Sequence, residues 1–488
     1  MTEFDRRSFL LRAAKLTAGG TILAPSLTGL IACNDAFAPN PRGVPALRHA
    51  GVRSGYGELV AHPSLPFLIP EDFQLKLVSR AGDQMKSGGG TVPNALDGMC
   101  ALPVRGAGGD RADWKDDNAH DNGYRAGGRV RLVRNHEIRD GAASTVPMGS
   151  RPYDAKAGGG CTTLEVQIDK SGEPHLVEEF VSISGTCVNC AGGETPWGSW
   201  LTCEETTEGI PQGRLEPHGY VFEVPSGANS EVEAVALKDM GRFSHEAIAV
   251  DPRFGHVYET EDAGNSSGFY RFVPNVRREL AAGGRLQMLA VRGRPGLDTT
   301  RGGIAPLTAL PAEWVDIANP DPAVINSTTS VFAQGLAQGG TRFARLEGCW
   351  YGDQSVFFNA TSGGARGAGQ VWQYRPRTPD TGELVLIFES PSPDVLDAPD
   401  NICVSPRGGL VLCEDGGGAQ FMRGLTQDGF IFDFVRSADP NDATEFAGAC
   451  FSPDGGTLFF NTQGSTTRLG TERGGTFAIW GPWGNGAL

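Results

Sequence analysis

Six short stretches of this chain end in an acid or an amide after a glycine and an apolar, β-prone run. They are Gly128–Glu137, Gly198–Glu205, Gly255–Asp262, Gly352–Asn359, Gly409–Asp415 and Gly456–Asn461. If equivalent strands bring these ends to one axis, their carboxylates repel one another unless cations lie between them. A ring of carboxylate and amide oxygens suits hard cations such as calcium. Glu204, Glu261 and Glu414 sit at matched positions and are expected to face a common metal site. The competing reading of any single copy is a turn residue facing water.

The spacing of these ends indicates what must position them. Most of the gaps are near the ~40–50 residues of a propeller blade plus loops. Three copies follow a turn of the kind that introduces a strand, at Asp251-Pro252, Ser405-Pro406 and Ser452-Pro453. Proline at the second position and glycine near the end fix such turns. In a propeller the innermost strand of each blade lines the central channel. The expected fold is therefore all-β, a six-bladed β-propeller with irregular loop insertions. The 69 glycines and 32 prolines agree, since they disfavour long helices. A 98-residue gap separates Glu261 from Asn359, and residues 264–345 are expected to hold an insertion-rich excursion.

The N-terminus carries an address. Arg6-Arg7-Ser8-Phe9-Leu10 matches a twin-arginine export signal. The apolar stretch after it is broken by Lys15, Gly19, Gly20 and Pro25, which suits a signal segment better than a spanning helix. Leu30-Ile31-Ala32-Cys33 resembles a lipobox, and lipidated Cys33 would tether the protein to a membrane. Soluble release after Ala36-Phe37-Ala38 is the alternative. Residues 1–38 are thus expected to be leader and 39–488 one propeller domain, periplasmic or in the cell envelope. Without Cys33 nine cysteines remain, so at least one thiol is unpaired. Cys203 and Cys413 read as small buried residues, and Cys187-Val188-Asn189-Cys190 has no second pair to complete a zinc knuckle. The formal net charge of -15 argues against a nucleic-acid partner. It leaves room for a phosphorylated substrate whose charge a bound cation offsets.

From Asn189-Cys190-Ala191-Gly192-Gly193 through Thr195-Pro196-Trp197-Gly198 to Trp200-Leu201-Thr202-Cys203-Glu204-Glu205, the chain resembles the PhoX-type alkaline phosphatase family. Further matches follow at Asn135-His136-Glu137, Gly241–Ala247, Val257–Asp262, Pro399-Asp400-Asn401 with Glu414-Asp415, and Glu445–Asp454 with Asn461-Thr462-Gln463. The resemblance implies a six-bladed propeller, exported by the twin-arginine route, that hydrolyses phosphomonoesters at a central site holding Fe(III) and Ca2+. It implies Cys190 as a thiolate ligand to iron. Glu204, Glu246, Glu261 and Glu414 become carboxylate ligands to iron or calcium. Glu137, Asp262 and Asp400 become further calcium candidates. Arg242 is a candidate for contacting phosphate, its alternative a salt bridge. His245, beside Glu246, is a candidate for orienting a ligand or carrying a proton, its alternative a hydrogen-bonded structural residue. The chain departs from the family at Ser182, where a lysine is expected, and at Cys187, which stands where a larger residue is common. The strand Leu410–Glu414 also lacks an arginine. A monomer acting on a small phosphate ester is the expectation. The alternatives are a calcium-dependent propeller hydrolase of lactones, other esters or phosphodiesters, and a lipid-tethered scaffold without catalysis.

Overall fold

The computed structural model describes residues 55–104, 128–139, 145–441, 444–466 and 472–488. The leader motif, Cys33 and Ala36-Phe37-Ala38 lie outside them. The described residues are almost entirely strands and turns. In chain order β1 (Leu59–Ala61), β2 (Phe67–Pro70) and β3 (Gln74–Arg80) precede a series of antiparallel meanders. The first is β4 (Leu96–Pro103), β5 (Arg129–His136), β6 (Gly159–Ile168) and β7 (Pro174–Thr186). The second is β8 (Asn189–Glu194), β9 (Ser199–Glu204) and β10 (Val221–Pro225). The third is β11 (His245–Val250), β12 (Val257–Glu261), β13 (Phe269–Pro274) and β14 (Gly284–Val291). β15 (Ala309–Asp316) and the short helix α1 (Val331–Ala337) come next. The fourth is β16 (Leu346–Gly352), β17 (Ser355–Ala360), β18 (Gln370–Pro376) and β19 (Gly382–Glu389). The fifth is β20 (Pro399–Val404), β21 (Leu410–Glu414), β22 (Phe421–Leu425) and β23 (Ile431–Ser437), extended at its edge by β2 and β1. The last is β24 (Phe446–Phe451), β25 (Thr457–Gly464) and β26 (Arg473–Trp480), whose outer partner is β3 from the opposite end of the chain.

The first strand of each meander packs on the first strand of the next, and β24 returns to β4, so the array closes into a propeller-like ring. Apolar clusters lie between successive sheets. Cys100, Ile183, Trp200 and Phe222 join the first meander to the second, and Leu132, Leu164, Phe459 and Ala478 join the last to the first. Closure through β3 covers an edge that would otherwise expose unpaired N–H and C=O groups. The all-β, propeller-like expectation holds. The excursion is shorter than expected, because β13 and β14 within residues 264–345 are regular strands of the third meander. β15 then bridges β14 to β19, joining two meanders into one nine-stranded sheet.

Candidate metal centre at the ring axis

One local device recurs six times. A residue just before each first strand accepts a backbone hydrogen bond from a residue at or just past the end of the second. The pairs are Glu137 N to Ala95 O (2.8 Å), Glu205 N to Val188 O (2.9 Å), Asp262 N to Ser244 O (3.1 Å), Thr361 N to Arg345 O (2.8 Å), Asp415 N to Ala398 O (3.0 Å) and Gln463 N to Glu445 O (3.0 Å). Four of the acceptors, Ala95, Val188, Arg345 and Ala398, have φ between 46° and 52°. That region is unusual for a residue with a side chain, most of all for β-branched Val188. Such backbones persist where surrounding structure over-determines them, and they gather at functional sites.

All six first strands carry a register shift against their partners, two residues after the acceptor in five of them and one residue later in the sixth. A bulge re-aims a side chain. The residues so placed are Asp97, Cys190, Glu246, Glu347 and Asp400; the sixth strand has Ala447 at the corresponding position, still paired with Asn461. After Asp97, Cys190, Glu246 and Glu347 the next residue is glycine or alanine, and after Asp400 it is Asn401. A Cβ on Gly98 would lie 2.5 Å from Ala191 Cα, and one on Gly348 2.5 Å from the Asp400 carbonyl oxygen. Neighbouring first strands therefore approach one another closely. At four of the six strands a side chain from the preceding meander grips the main chain at the bulge. Asn135 Nδ2 donates to Cys190 O (3.1 Å), Thr260 Oγ1 to Glu347 O (2.6 Å), Asn359 Nδ2 to Asp400 O (2.8 Å) and Asn461 Nδ2 to Asp97 O (2.5 Å).

The outcome is two clusters of ligand-type atoms. In each, three atoms lie within 4.8 Å of one another: Glu137, Cys190 and Glu205 in one, Glu246, Glu347 and Asp400 in the other. Cys190 Sγ joins them at 3.0 Å from Glu246 Oε1 and lies 3.7 Å from Asp97 Oδ2. Gln463 Nε2 donates to both Asp97 (2.9 Å) and Glu137 (2.7 Å). Two arginines stand among these acids. Arg139 bonds Glu137 and Glu205, the latter at 2.6 Å, and Arg345 bonds Asp262 at 3.1 Å and Glu347 at 2.5 Å. Their side chains keep 49% and 36% exposure, while Glu137 and Glu347 keep 4% and 2%.

Burial drives the electrostatics. It pushes Asp97 up to about 7 and holds Glu137, Glu246, Glu347 and Asp400 well above the usual carboxylate range, with crowding by other acids adding to it. Glu205 and Asp415 are raised for the same first reason. The Cys190 thiol is raised by burial and then by Asp97 and Glu246. Asp97 Oδ1, Glu246 Oε2 and Asp400 Oδ1 are buried with no hydrogen-bond partner. Orphaned, crowded carboxylate oxygens beside a thiol fit bound cations, which would supply the missing partners and favour the ionised forms. The oxygen cluster has the donor set of a hard cation, and the thiol cluster that of a transition metal.

The residues expected from the sequence divide into two sets. Cys190, Glu246, Glu137 and Asp400 are brought together at the axis, and Asp262 joins them through Arg345. Glu204, Glu261 and Glu414 fall one residue short of the axial positions and bond inside their own meanders. Glu204 accepts from Cys187 N, Gly219 N, Tyr220 N and His218 Nδ1. Glu261 accepts from Tyr270 Oη (2.5 Å) and Gly268 N (3.1 Å), and burial pushes it up to about 8. Glu414 accepts from Arg423 Nε (2.7 Å) and Asp397 N (3.1 Å). Side chains alternate along a strand, so the next residue turns to the opposite side. Arg242 donates to the carbonyls of His218, Thr207, Glu208 and Pro322. His245 is buried, stacked on Phe243 at 3.6 Å, with Nε2 on Gly241 O and burial pulling it down to about 3. Neither belongs to the two axial clusters. Asp97, Glu205, Glu347, Asp415, Gln463, Arg139 and Arg345 complete the site. The signal for the bulge residues is an acid or cysteine followed by glycine or alanine, at 97–98, 190–191, 246–247 and 347–348, with Asp400-Asn401 departing from it. Cys187 lies in a small buried cluster with Ala157 and Val188, and all nine described cysteines are free thiols.

These features define a propeller-like β protein whose axis is lined with acids, a thiol and two arginines. The family model for alkaline phosphatase PhoX matches residues 54–465, and the chain belongs to that family. Among solved structures it is similar to Pseudomonas fluorescens PhoX in complex with vanadate, a transition-state analogue, at 18% identity and a TM-score of 0.64. That match covers 90% of this chain and 99% of the other. A gluconolactonase from Xanthomonas campestris matches at 12% identity and a TM-score of 0.38, over 87% of this chain and 98% of the other. No match was found among curated proteins.

Proposed function

We propose that this chain is an alkaline phosphatase that hydrolyses small phosphate monoesters at a mixed iron and calcium centre on the axis of a six-bladed propeller. The observation that carries this reading is the pair of joined clusters, one holding the Cys190 thiol and one all oxygen, with Arg139 and Arg345 half-exposed among their acids. Glu137, Cys190 and Glu205 would hold iron, and Glu246, Glu347 and Asp400 calcium. When bound, such cations polarise phosphoryl oxygens and stabilise charge developing in the transition state. The chain's own residues do the rest. Arg139 and Arg345 bind phosphoryl oxygens through charge-assisted hydrogen bonds. The Asn and Thr donors from neighbouring meanders hold the bulges still, so that the carboxylates keep their spacing. Export by the twin-arginine route, with lipidation at Cys33 or release after Ala38, places the reaction outside the cytoplasm.

The test is elemental analysis of the purified mature protein together with p-nitrophenyl phosphate turnover at alkaline pH. Iron and calcium with turnover support the reading. A folded protein without iron overturns the cofactor assignment, and metal without turnover moves the site to another substrate.

A further inference from the structure

Glu204 is fully buried, yet it lies outside both ligand clusters. Its Oε1 accepts from Cys187 N (2.8 Å) and from His218 Nδ1 (2.6 Å), and its Oε2 from Gly219 N (2.8 Å) and Tyr220 N (3.2 Å). His218 Nε2 reaches Asp154 Oδ2 at 3.3 Å. Asp154 accepts from the backbone N–H groups of Lys156, Leu215 and Glu216. All three side chains are 0% exposed. Burial works against charge on His218, but its bonds to Glu204 and Asp154 outweigh that and raise its pKa. An acid–imidazole–acid chain is thus buried and bonded in series, at a place where polar groups are costly unless each is paired.

Its attachments suggest what it is for. Cys187 opens the tight turn that passes through left-handed Val188 and delivers Cys190 to its bulge. Glu204 is bonded to Glu205 in sequence, and Glu205 N closes the same turn on Val188 O at 2.9 Å. One carboxylate therefore ties together both sides of the thiol cluster. The first and fifth meanders show the simpler form of this grip. His136 Nδ1 lies 2.9 Å from Asn94 O, just before left-handed Ala95, and Glu414 accepts from Asp397 N, just before left-handed Ala398.

We propose that Asp154, His218 and Glu204 form a positioning relay that sets the separation and orientation of Cys190 and Glu205 for the metal they share. The proposal rests on the iron reading of the thiol cluster given above. The relay touches neither substrate nor metal; it acts through the turn at Val188 and the end of β9. Removing an outer partner of this kind typically costs about 10–100-fold in metal affinity or activity.

The experiment compares the wild type, His218→Gln and Asp154→Asn. Arg271→Leu serves as a control, because it disrupts a buried arginine bonded to Gln287 on an outer strand. Iron per protein, the visible thiolate-to-iron absorption, thermal stability, kcat and KM are measured for each. His218→Gln is expected to shift the absorption band and to lower iron retention or kcat about 10–100-fold at nearly unchanged KM. Asp154→Asn should do the same more weakly. Arg271→Leu should lose stability while keeping iron and band. A folded His218→Gln variant with wild-type iron, band and kcat overturns the relay. If that variant does not fold, Asp154→Asn with an unchanged band and iron content overturns it. A wild type without iron instead refutes the metal reading on which the relay depends.

Discussion

The thiol cluster and the oxygen cluster share one strand geometry and differ in how they use it. Glu246, Glu347 and Asp400 all come from bulges of successive first strands. They are buried, and two of them keep an orphaned oxygen. Glu137, Cys190 and Glu205 combine one bulge residue with two residues just past second strands, where Arg139 keeps half its side chain in solvent. The same bulge thus yields a deep hard-oxygen cage in one half of the ring and a more accessible thiol site in the other. Substituting one donor for another at a repeated position is enough to change which metal a pocket prefers.

Cys190→Ser should break this comparison most severely. Iron should be lost from the purified protein and turnover should fall by more than ~100-fold, beyond what changes outside the ligand shell usually cause. Calcium should remain, and elemental analysis reads both. Glu347→Gln attacks the other half. Calcium affinity should drop, iron should stay, and a loss of about 100-fold in turnover should be partly recovered by millimolar calcium. Equal loss of both metals from either variant would mean that the clusters are one indivisible site. Arg345→Ala should raise KM for p-nitrophenyl phosphate about tenfold, or ~1.4 kcal/mol, with a smaller change in kcat.

The smallest expected effect concerns pH. Burial raises Asp97 from 3.8 to about 7, so its favourable contribution to the metal-free fold is complete below about pH 4 and is lost as pH rises through about 7. The melting temperature of chelator-treated protein should therefore decline by a few degrees across that window, and added metal should flatten the decline. Differential scanning calorimetry at fixed ionic strength reads this, and a stability that rises with pH in the chelated protein would contradict the assignment.

Much of the site was legible before the fold. The run from Asn189 to Glu205 carried the family resemblance, and Cys190, Glu246, Glu137 and Asp400 followed from it. Glu204, Glu261 and Glu414 were expected at the axis because the apolar runs end on them. The structure instead places Glu205, Asp262 and Asp415 one step further on, at positions equivalent around the ring. Arg139 and Arg345 were missed because they belong to no apolar run. Arg345 reaches Asp262 and Glu347 from a left-handed backbone that its own side chain disfavours. Arg242 looked available for phosphate until its donors were found on four carbonyls.

The sequence alone determined an all-β chain of repeated strand ends rich in acids, the family motif, and the thiol among them. Those follow from composition and local pattern, which survive without knowledge of neighbours. Tertiary structure decided which of two consecutive carboxyls meets the axis and which is clamped behind it. A shift of one residue turns a strand's side chains to the other face. The bulges, left-handed turns and inter-sheet donors that set this register depend on contacts between residues far apart in the chain.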